Sequence, residues 1–291
     1  MTKRLFVFGL GFTGLRFAQA ARLMGWHVAG TVTSAAKAER IAKLGIETYS
    51  FDGSQASADI AAKIEAASHI LSTIPPRRGW RDGDVETADP VLACYSLEQL
   101  TNGTHWLAYL STTGVYGDHA GAWVDEATPA AGGTNAARQR ADADWRGHHA
   151  SHIFRLPGIY GPGRSAIERA RSGKMSRIDK PGQVFSRIHV DDIVQTLIAS
   201  AYAPSPGEIY NVADDEPASG WAVEDYACQL LGITPPPLVT LEDADLSARG
   251  KEFYSQCRRV KNNKIKQALG VRLIYPDYRA GLRGCLAASD L

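Results

Sequence analysis

Three glycines, Gly9, Gly11 and Gly14, follow the apolar run Leu5-Phe6-Val7-Phe8 at the G-x-G-x-x-G spacing that suits a bound pyrophosphate. Gly9 can turn tightly out of a strand, Gly11 lets the backbone approach a diphosphate with no Cβ in the way, and Gly14 lets a helix lie close on that strand. Phe12 and Thr13 open a helix expected over Phe12 to Met24, whose first N–H groups and positive dipole end would face the phosphates. Glycine turns also recur for purely structural reasons. Here the motif sits after a strand and before a helix with Leu15, Ala18 and Leu23 at core spacing, which favours a nucleotide cradle.

A second set of polar groups lies past the ends of later strands: Ser111, Thr112, Tyr116, Tyr160 and Arg164. The expected strands are Trp26 to Thr33, Glu47 to Phe51, His69 to Ile74, Trp106 to Ser111 and His152 to Leu156, with a mobile loop over Arg77 to Asp89 and a helix over Pro90 to Leu100. Mostly apolar strands alternating with helices imply an α/β Rossmann fold, a doubly wound parallel sheet covered on both faces, with ligands at the carboxyl ends of its strands. Residues 1–160 would form the NAD(P)-binding core, with 186–203 returning to it. Residues 161–185 and 204–291 would form a small carboxyl-terminal substrate lobe.

The end of strand two discriminates between dinucleotides. An NAD site carries an acid there to accept from the ribose hydroxyls, but Ala29-Gly30-Thr31-Val32-Thr33-Ser34 has none. Thr33 and Ser34 can donate to a 2'-phosphate, and Lys37 and Arg40 can balance its charge, so NADP is preferred over NAD; a solvated helix face is the alternative for the two cations. Asp52 suits either an adenine amino group or a helix N-cap. With 32 basic and 31 acidic residues in 291, the net charge of +1 gives no reason to expect nucleic acid or an anionic membrane as partner. Cys94, Cys228, Cys257 and Cys285 are scattered, which suggests reduced thiols, no metal site and a soluble cytoplasmic protein; the amino terminus enters strand one too soon for a signal peptide.

Longer stretches carry a resemblance: Ser111-Thr112-Thr113-Gly114-Val115-Tyr116-Gly117, Arg155-Leu156-Pro157-Gly158-Ile159-Tyr160-Gly161-Pro162-Gly163-Arg164, Arg187-Ile188-His189-Val190-Asp191-Asp192-Ile193 and Gly207-Glu208-Ile209-Tyr210-Asn211-Val212-Ala213-Asp214-Asp215. In these the chain resembles the extended short-chain dehydrogenase/reductases, NAD(P)-dependent epimerases, dehydratases and reductases acting largely on nucleotide-sugars, in an atypical form. Phe8 stands at the first glycine of the usual GxxGxxG turn. More consequential, the family's Tyr-x-x-x-Lys positions hold Thr134 and Arg138, and no tyrosine occurs from Gly117 through Phe154. A threonine hydroxyl is too weak an acid to replace the phenol, and a guanidinium cannot shuttle a proton, although Arg138 could still hold the nicotinamide ribose.

The resemblance implies a catalytic position for Thr112 beside the substrate's carbonyl or hydroxyl; Tyr116, the nearest phenol in sequence though not usually the family's proton donor, or Tyr160 is a candidate substitute acid or, alternatively, a packed ring. Thr73, Ile74, Arg138 and Pro157 join the cofactor-binding candidates; Ser111, Thr113, Tyr160, Arg164 and Arg187 are the substrate-binding ones. The basic stretch Ser165 to Val184 would lie against an anionic substrate group or face solvent. His189 and Asp191 read as architectural, Asp191 capping a helix over Asp192 to Ala201, and Asn262 as the cap of a helix ending near Leu269. Family members dimerise through helices that would be Pro90 to Leu100 and Asn135 to His148, so a monomer or homodimer with a small-molecule substrate is expected. Two functions stay open: an NAD(P)-dependent epimerase, dehydratase or reductase acting on a small or nucleotide-linked carbonyl or alcohol, and a non-catalytic dinucleotide-binding redox sensor or scaffold.

Overall fold

The computed structural model describes residues 2–77, 79–81, 84, 87–130, 132–147 and 150–289. In chain order the elements are β1 (Arg4–Phe8), α1 (Phe12–Leu23), β2 (His27–Val32), α2 (Ala35–Ala42), β3 (Glu47–Ser50), α3 (Ala58–Ala66), β4 (His69–Ser72), α4 (Leu97–Thr101), β5 (Trp106–Thr112), β6 (Trp123–Val124), α5 (Ala136–Arg146) and β7 (Ser151–Leu156). There follow β8 (Gly158–Tyr160), α6 (Ala166–Arg171), β9 (Arg177–Asp179), β10 (Arg187–His189), α7 (Val190–Tyr202), β11 (Ile209–Asn211), α8 (Gly220–Leu231), β12 (Leu238–Thr240), α9 (Ala248–Tyr254), β13 (Arg259–Val260), α10 (Asn263–Leu269) and α11 (Tyr278–Ser289).

The chain divides into two compact units. The first comprises 1–115, 135–155 and 194–210, the second 116–134, 156–193 and 211–291. Residues 116–134, 156–160 and 186–193, read above with the amino-terminal core, group with the second unit, and 204–210, read above with the substrate lobe, group with the first.

The seven-stranded sheet has the order β11-β7-β5-β4-β1-β2-β3, and β1 pairs in parallel with both β2 and β4. Strand order reverses at β1, which makes the crevice beyond its carboxyl end the ligand position of an open α/β sheet. The expected Rossmann fold is therefore the observed one. Both faces of its central strands are covered: β1 and β4 are mostly apolar and buried along almost their whole length, whereas β3, Glu47–Ser50, lies at the edge and exposes both its ends. One core of the first unit joins Phe6, Phe8, Ile60, Ile70, Leu107, Tyr109 and Trp145, and Trp145 stacks on Tyr109 at 5.1 Å between ring centroids. The second unit has its own core around Tyr160, Ile167, Val223, Tyr278 and Leu282.

Two expected elements differ. Only Leu97–Thr101 of the Pro90 to Leu100 segment is helical, because buried Asp89 accepts from the N–H groups of Val91 and Leu92 and folds the chain into a turn first. That removes one of the two helices on which the expected dimer rested. The other runs Ala136–Arg146 with Asn135 as its cap, so it ends before His148, which lies outside the described residues. Parts of the expected mobile loop, Arg78, Asp82, Gly83, Val85 and Glu86, also lie outside them.

Burial pushes the Asp89 carboxyl up to about 6. Its folded-state value exceeds the unfolded one, so the stability that its neutral form supports is present below about pH 4 and lost as pH rises through 6. Asp89→Asn keeps the acceptor for Val91 and Leu92 and cannot ionise. Urea unfolding at a series of pH values should show the wild type losing about 2–3 kcal/mol across that window and the variant losing less.

Candidate nucleotide site

The glycine turn is held from both sides by threonines. The Gly9 N–H donates to Thr31 Oγ1 at 2.8 Å, and Thr73 Oγ1 donates to the Gly9 carbonyl at 2.6 Å. Leu10 N–H adds a bond to the Thr31 carbonyl, tying the turn to β2. Gly9 has φ +88°, open to glycine and strained for other residues. A side chain at Gly14 would begin 2.3 Å from the Gly9 carbonyl oxygen, and one at Gly30 would begin 2.6 Å from the Val7 carbonyl oxygen. Both glycines are therefore demanded by backbone packing. Gly11 is different: no atom lies within 4 Å of where its Cβ would stand. Gly11 is also the N-cap of α1 and offers no side-chain cap, and the first turn of α1 holds no acid.

Thr33 and Ser34 are exposed at the end of β2, and Ser34 is the N-cap of α2 without a side-chain cap bond. Arg40 is exposed and Lys37 half-buried on α2. Asp52 is exposed, and its Oδ1 accepts from both the N–H and the hydroxyl of Ser54 at 2.9 and 2.6 Å. It does not cap α3, whose N-cap is Ser57. The Ser54 hydroxyl holds the Asp52 carboxyl below the usual range, so it is an anion.

At the end of β5, Ser111 is buried and donates to Asp142 Oδ2 at 2.6 Å. Asp142 also receives Arg155 Nη2 and Arg146 Nε on Oδ1, both at 2.8 Å. The hydroxyl expected to meet substrate is thus part of a buried ionic knot joining β5, α5 and β7. Thr113 is buried as well, while Thr112 is half-buried and its hydroxyl accepts from Gly114 N–H at 3.1 Å. Arg138 is half-buried near the Tyr109 hydroxyl, which burial raises well above the ordinary phenol range.

The second unit places the remaining candidates. Tyr116 is buried among Val124, Ala213 and Val260 and donates to Asn211 Oδ1 at 2.8 Å. Tyr160 is buried edge-on to His189, with ring centroids 5.2 Å apart, and its hydroxyl reaches the Asp277 carbonyl only at 3.5 Å. Both phenols are packed rings, the alternative reading of each, and burial raises the Tyr160 hydroxyl further from neutral pH. Arg187 donates to the carbonyls of Phe185, Ala218 and Ser219 at 2.7, 2.9 and 3.2 Å. Arg164 is exposed in the turn after β8 and Pro157 half-buried between β7 and β8. His189 is architectural: its Nδ1 accepts from Asp191 N–H at 3.2 Å, and Asp191 lies within the first turn of α7 rather than before it. Asn262 stands at the N-cap of α10, but its amide spends itself on the Ala213 carbonyl and Asp215.

No family model matches the chain. A solved structure of a functionally unknown conserved protein from Silicibacter pomeroyi DSS is 41% identical, covers 99% of each chain and superposes with a TM-score of 0.86. The chain belongs to that protein's family. Its fold is that of the NAD-dependent epimerase/dehydratase-like extended short-chain dehydrogenase/reductases. Among these, dTDP-glucose 4,6-dehydratase from Bacillus anthracis, solved in complex with NAD, superposes with a TM-score of 0.77 at 17% identity over 99% of this chain and 97% of that one. Protein YeeZ of Escherichia coli K12 is 29% identical over 285 residues, 94% of this chain and 97% of that one.

Thr134 is the residue expected above at the family's tyrosine position. Thr134 precedes α5, and its exposed hydroxyl donates to Glu252 at 2.7 Å and accepts from Gln256 at 3.0 Å. Sequence reasoning missed Thr31, Gly30 and Asp142. The first two could have been found from β-strand alternation, which points Thr31 toward the glycine turn and presses Gly30 on β1. No helix among the described residues is long and apolar enough to cross a membrane.

Proposed function

We propose that the first unit binds a nicotinamide dinucleotide, NADP in preference to NAD, and that the chain is an epimerase, dehydratase or reductase acting on a small or nucleotide-linked carbonyl or alcohol. The carrying observation is the contrast within the glycine turn. Gly9 is required by its φ of +88° and by the Thr73 hydroxyl beside it, and Gly14 by the Gly9 carbonyl, whereas no neighbour crowds the place of a Gly11 Cβ, which leaves that space to a ligand. The first unit's residues suit the dinucleotide: Gly11, Phe12 and Thr13 for the pyrophosphate, Asp52 for the adenine, Thr33, Ser34, Lys37 and Arg40 for a 2'-phosphate, and Ile74 and Arg138 for the nicotinamide half. Thr73 supports the site through the Gly9 carbonyl. The bound dinucleotide supplies hydride transfer, and Thr112, at the carboxyl end of β5, orients the substrate's oxygen.

A second reading, a non-catalytic dinucleotide-binding redox sensor or scaffold, is favoured by one observation. Tyr116 and Tyr160 are both buried as packing residues, and Thr134 is bonded to Glu252 and Gln256.

Fluorescence titration with NADPH and NADH tests both readings together. NADPH should bind more tightly than NADH, and Gly11→Val should abolish binding at a small cost in melting temperature, since its Cβ enters open space and valine is a poorer N-cap than glycine. Failure of the wild type to bind either nucleotide at millimolar concentration would sink both. Turnover of carbonyl substrates by the NADPH-loaded protein then separates enzyme from sensor.

A further inference from the structure

The first unit has a second opening, at the amino ends of β1, β2 and β3 and so at the far end of β1 from the glycine turn. This cavity has a volume of about 520 Å³, within the range of about 300–1,000 Å³ in which small-molecule sites fall. Strand register builds its floor. Arg4 pairs with His27, Phe6 with Ala29, and Ala29 with Glu47, so these five residues stand on one face of the sheet. Phe6 and Ala29 belong to the apolar core together with Ala67, and Ala66 and Ala67 at the end of α3 wall the cavity. Its rim is polar and open to solvent: Arg4, Arg22, His27 and Glu47 are exposed, and Lys63 is half-buried.

Two of the rim's cations keep donors for a ligand. Arg22 Nε donates to the Gly45 carbonyl at 3.2 Å, and a side chain at Gly45 would collide with Arg22 Nη2, so the guanidinium rests over a bare glycine with both Nη groups unspent. The Arg4 guanidinium has no hydrogen bond or ion pair among the described residues; only its backbone is bonded to Ser68. Lys63, by contrast, is held by Glu47 at 2.8 Å, and Glu47 also accepts from the Tyr49 hydroxyl. Glu47 is the one carboxylate among the described residues that line the cavity. Being paired with Lys63, it leaves the charges of Arg4 and Arg22 uncancelled.

We propose that this cavity binds a small organic anion, a phosphate monoester on an apolar body, with Arg4 and Arg22 meeting its charge and Phe6, Ala29 and Ala66 meeting the body. The planar N–H forks of arginine match phosphate oxygens two at a time, and a dianion answers two uncancelled charges. The walls add the gain from taking apolar surface out of water. Inorganic phosphate offers the first contribution alone, and a neutral aromatic molecule the second alone. No residue of the glycine turn lines the cavity, so the site stands apart from the nucleotide reading.

Ligand-detected NMR titration of the full chain with phenyl phosphate at pH 8, where it is a dianion, tests the proposal. Phenyl phosphate should bind on the order of tenfold more tightly than either inorganic phosphate or benzyl alcohol. The double variant Arg4→Ala, Arg22→Ala should weaken it by on the order of tenfold, and Ala66→Trp, which fills the cavity from an exposed position, should abolish it. Phenyl phosphate binding no tighter than inorganic phosphate would mean unspecific charge attraction and would overturn the proposal. Affinity that survives the double variant or Ala66→Trp would overturn it as well. Should loss of Arg22 unfold the turn at Gly45, Arg4→Ala alone decides, since its side chain has no partner to lose among the described residues. Displacement of the probe by NADPH would put it at the glycine turn and count equally against the cavity.

Discussion

Asp142→Ala is expected to destabilise the protein by about 3–5 kcal/mol, the cost of leaving a buried charge without its partner. Asp142 is fully buried, and Arg155, 1% exposed, is bonded to it through both Nε and Nη2. Removing the carboxylate takes from the buried Arg155 guanidinium the two bonds it makes to Asp142, and the acceptor from Ser111 as well. Most of the loss is then the buried charge left without its carboxylate and not the value of the pair. Arg155→Met in the same background should recover a large part of it, because an apolar side chain of similar length can fill the space. Urea unfolding of the two single variants and the double variant gives the answer. A double variant no more stable than Asp142→Ala would show that the loss comes from packing or from Ser111.

Gly14→Ala should cost about 1–3 kcal/mol and weaken NADPH binding by about tenfold or more. Its new methyl group would start 2.3 Å from the Gly9 carbonyl oxygen and 3.2 Å from Val7 Cγ1, so either α1 lifts from β1 or the turn moves. The same carbonyl is the acceptor for Thr73, so the movement also breaks a bond that sets the turn. Set beside Gly11→Val, the variant separates two roles of glycine in one motif. Position 14 should lose stability and binding together; position 11 should lose binding with only a small loss of stability. Wild-type stability in Gly14→Ala would mean that α1 yields at little cost.

The periodic parts of the fold were legible. Apolar strands and turn residues located β1, β2, β4, β5 and β7 to within a residue or two, and the spacing of Gly9, Gly11 and Gly14 located the turn and α1. What failed depends on contacts distant in sequence. A short polar motif does not show that Ser111 faces Asp142, 31 residues on, or that the Tyr116 phenol meets Asn211, 95 residues on. The Pro90 to Leu100 helix failed for a local reason: Asp89 caps a turn there, and side-chain capping competes with helix propensity. The basic stretch Ser165 to Val184 was legible as charge, but its partners Glu224 and Asp225 come from a segment that was never read with it.

The division of the sheet among chain segments bears on how it is synthesised. Five of its strands, β3-β2-β1-β4-β5, lie within the first 112 residues, and parallel pairing joins each to the next. A nascent chain can therefore form the glycine turn and both threonine clamps early, while β5 presents an unpaired edge. That edge is covered by β7, and β7 by β11, whose residues Ile209–Asn211 leave the ribosome only after two excursions of the chain into the second unit. Until then the growing protein carries an open apolar edge able to pair with another chain, and that interval is when a chaperone would be needed most.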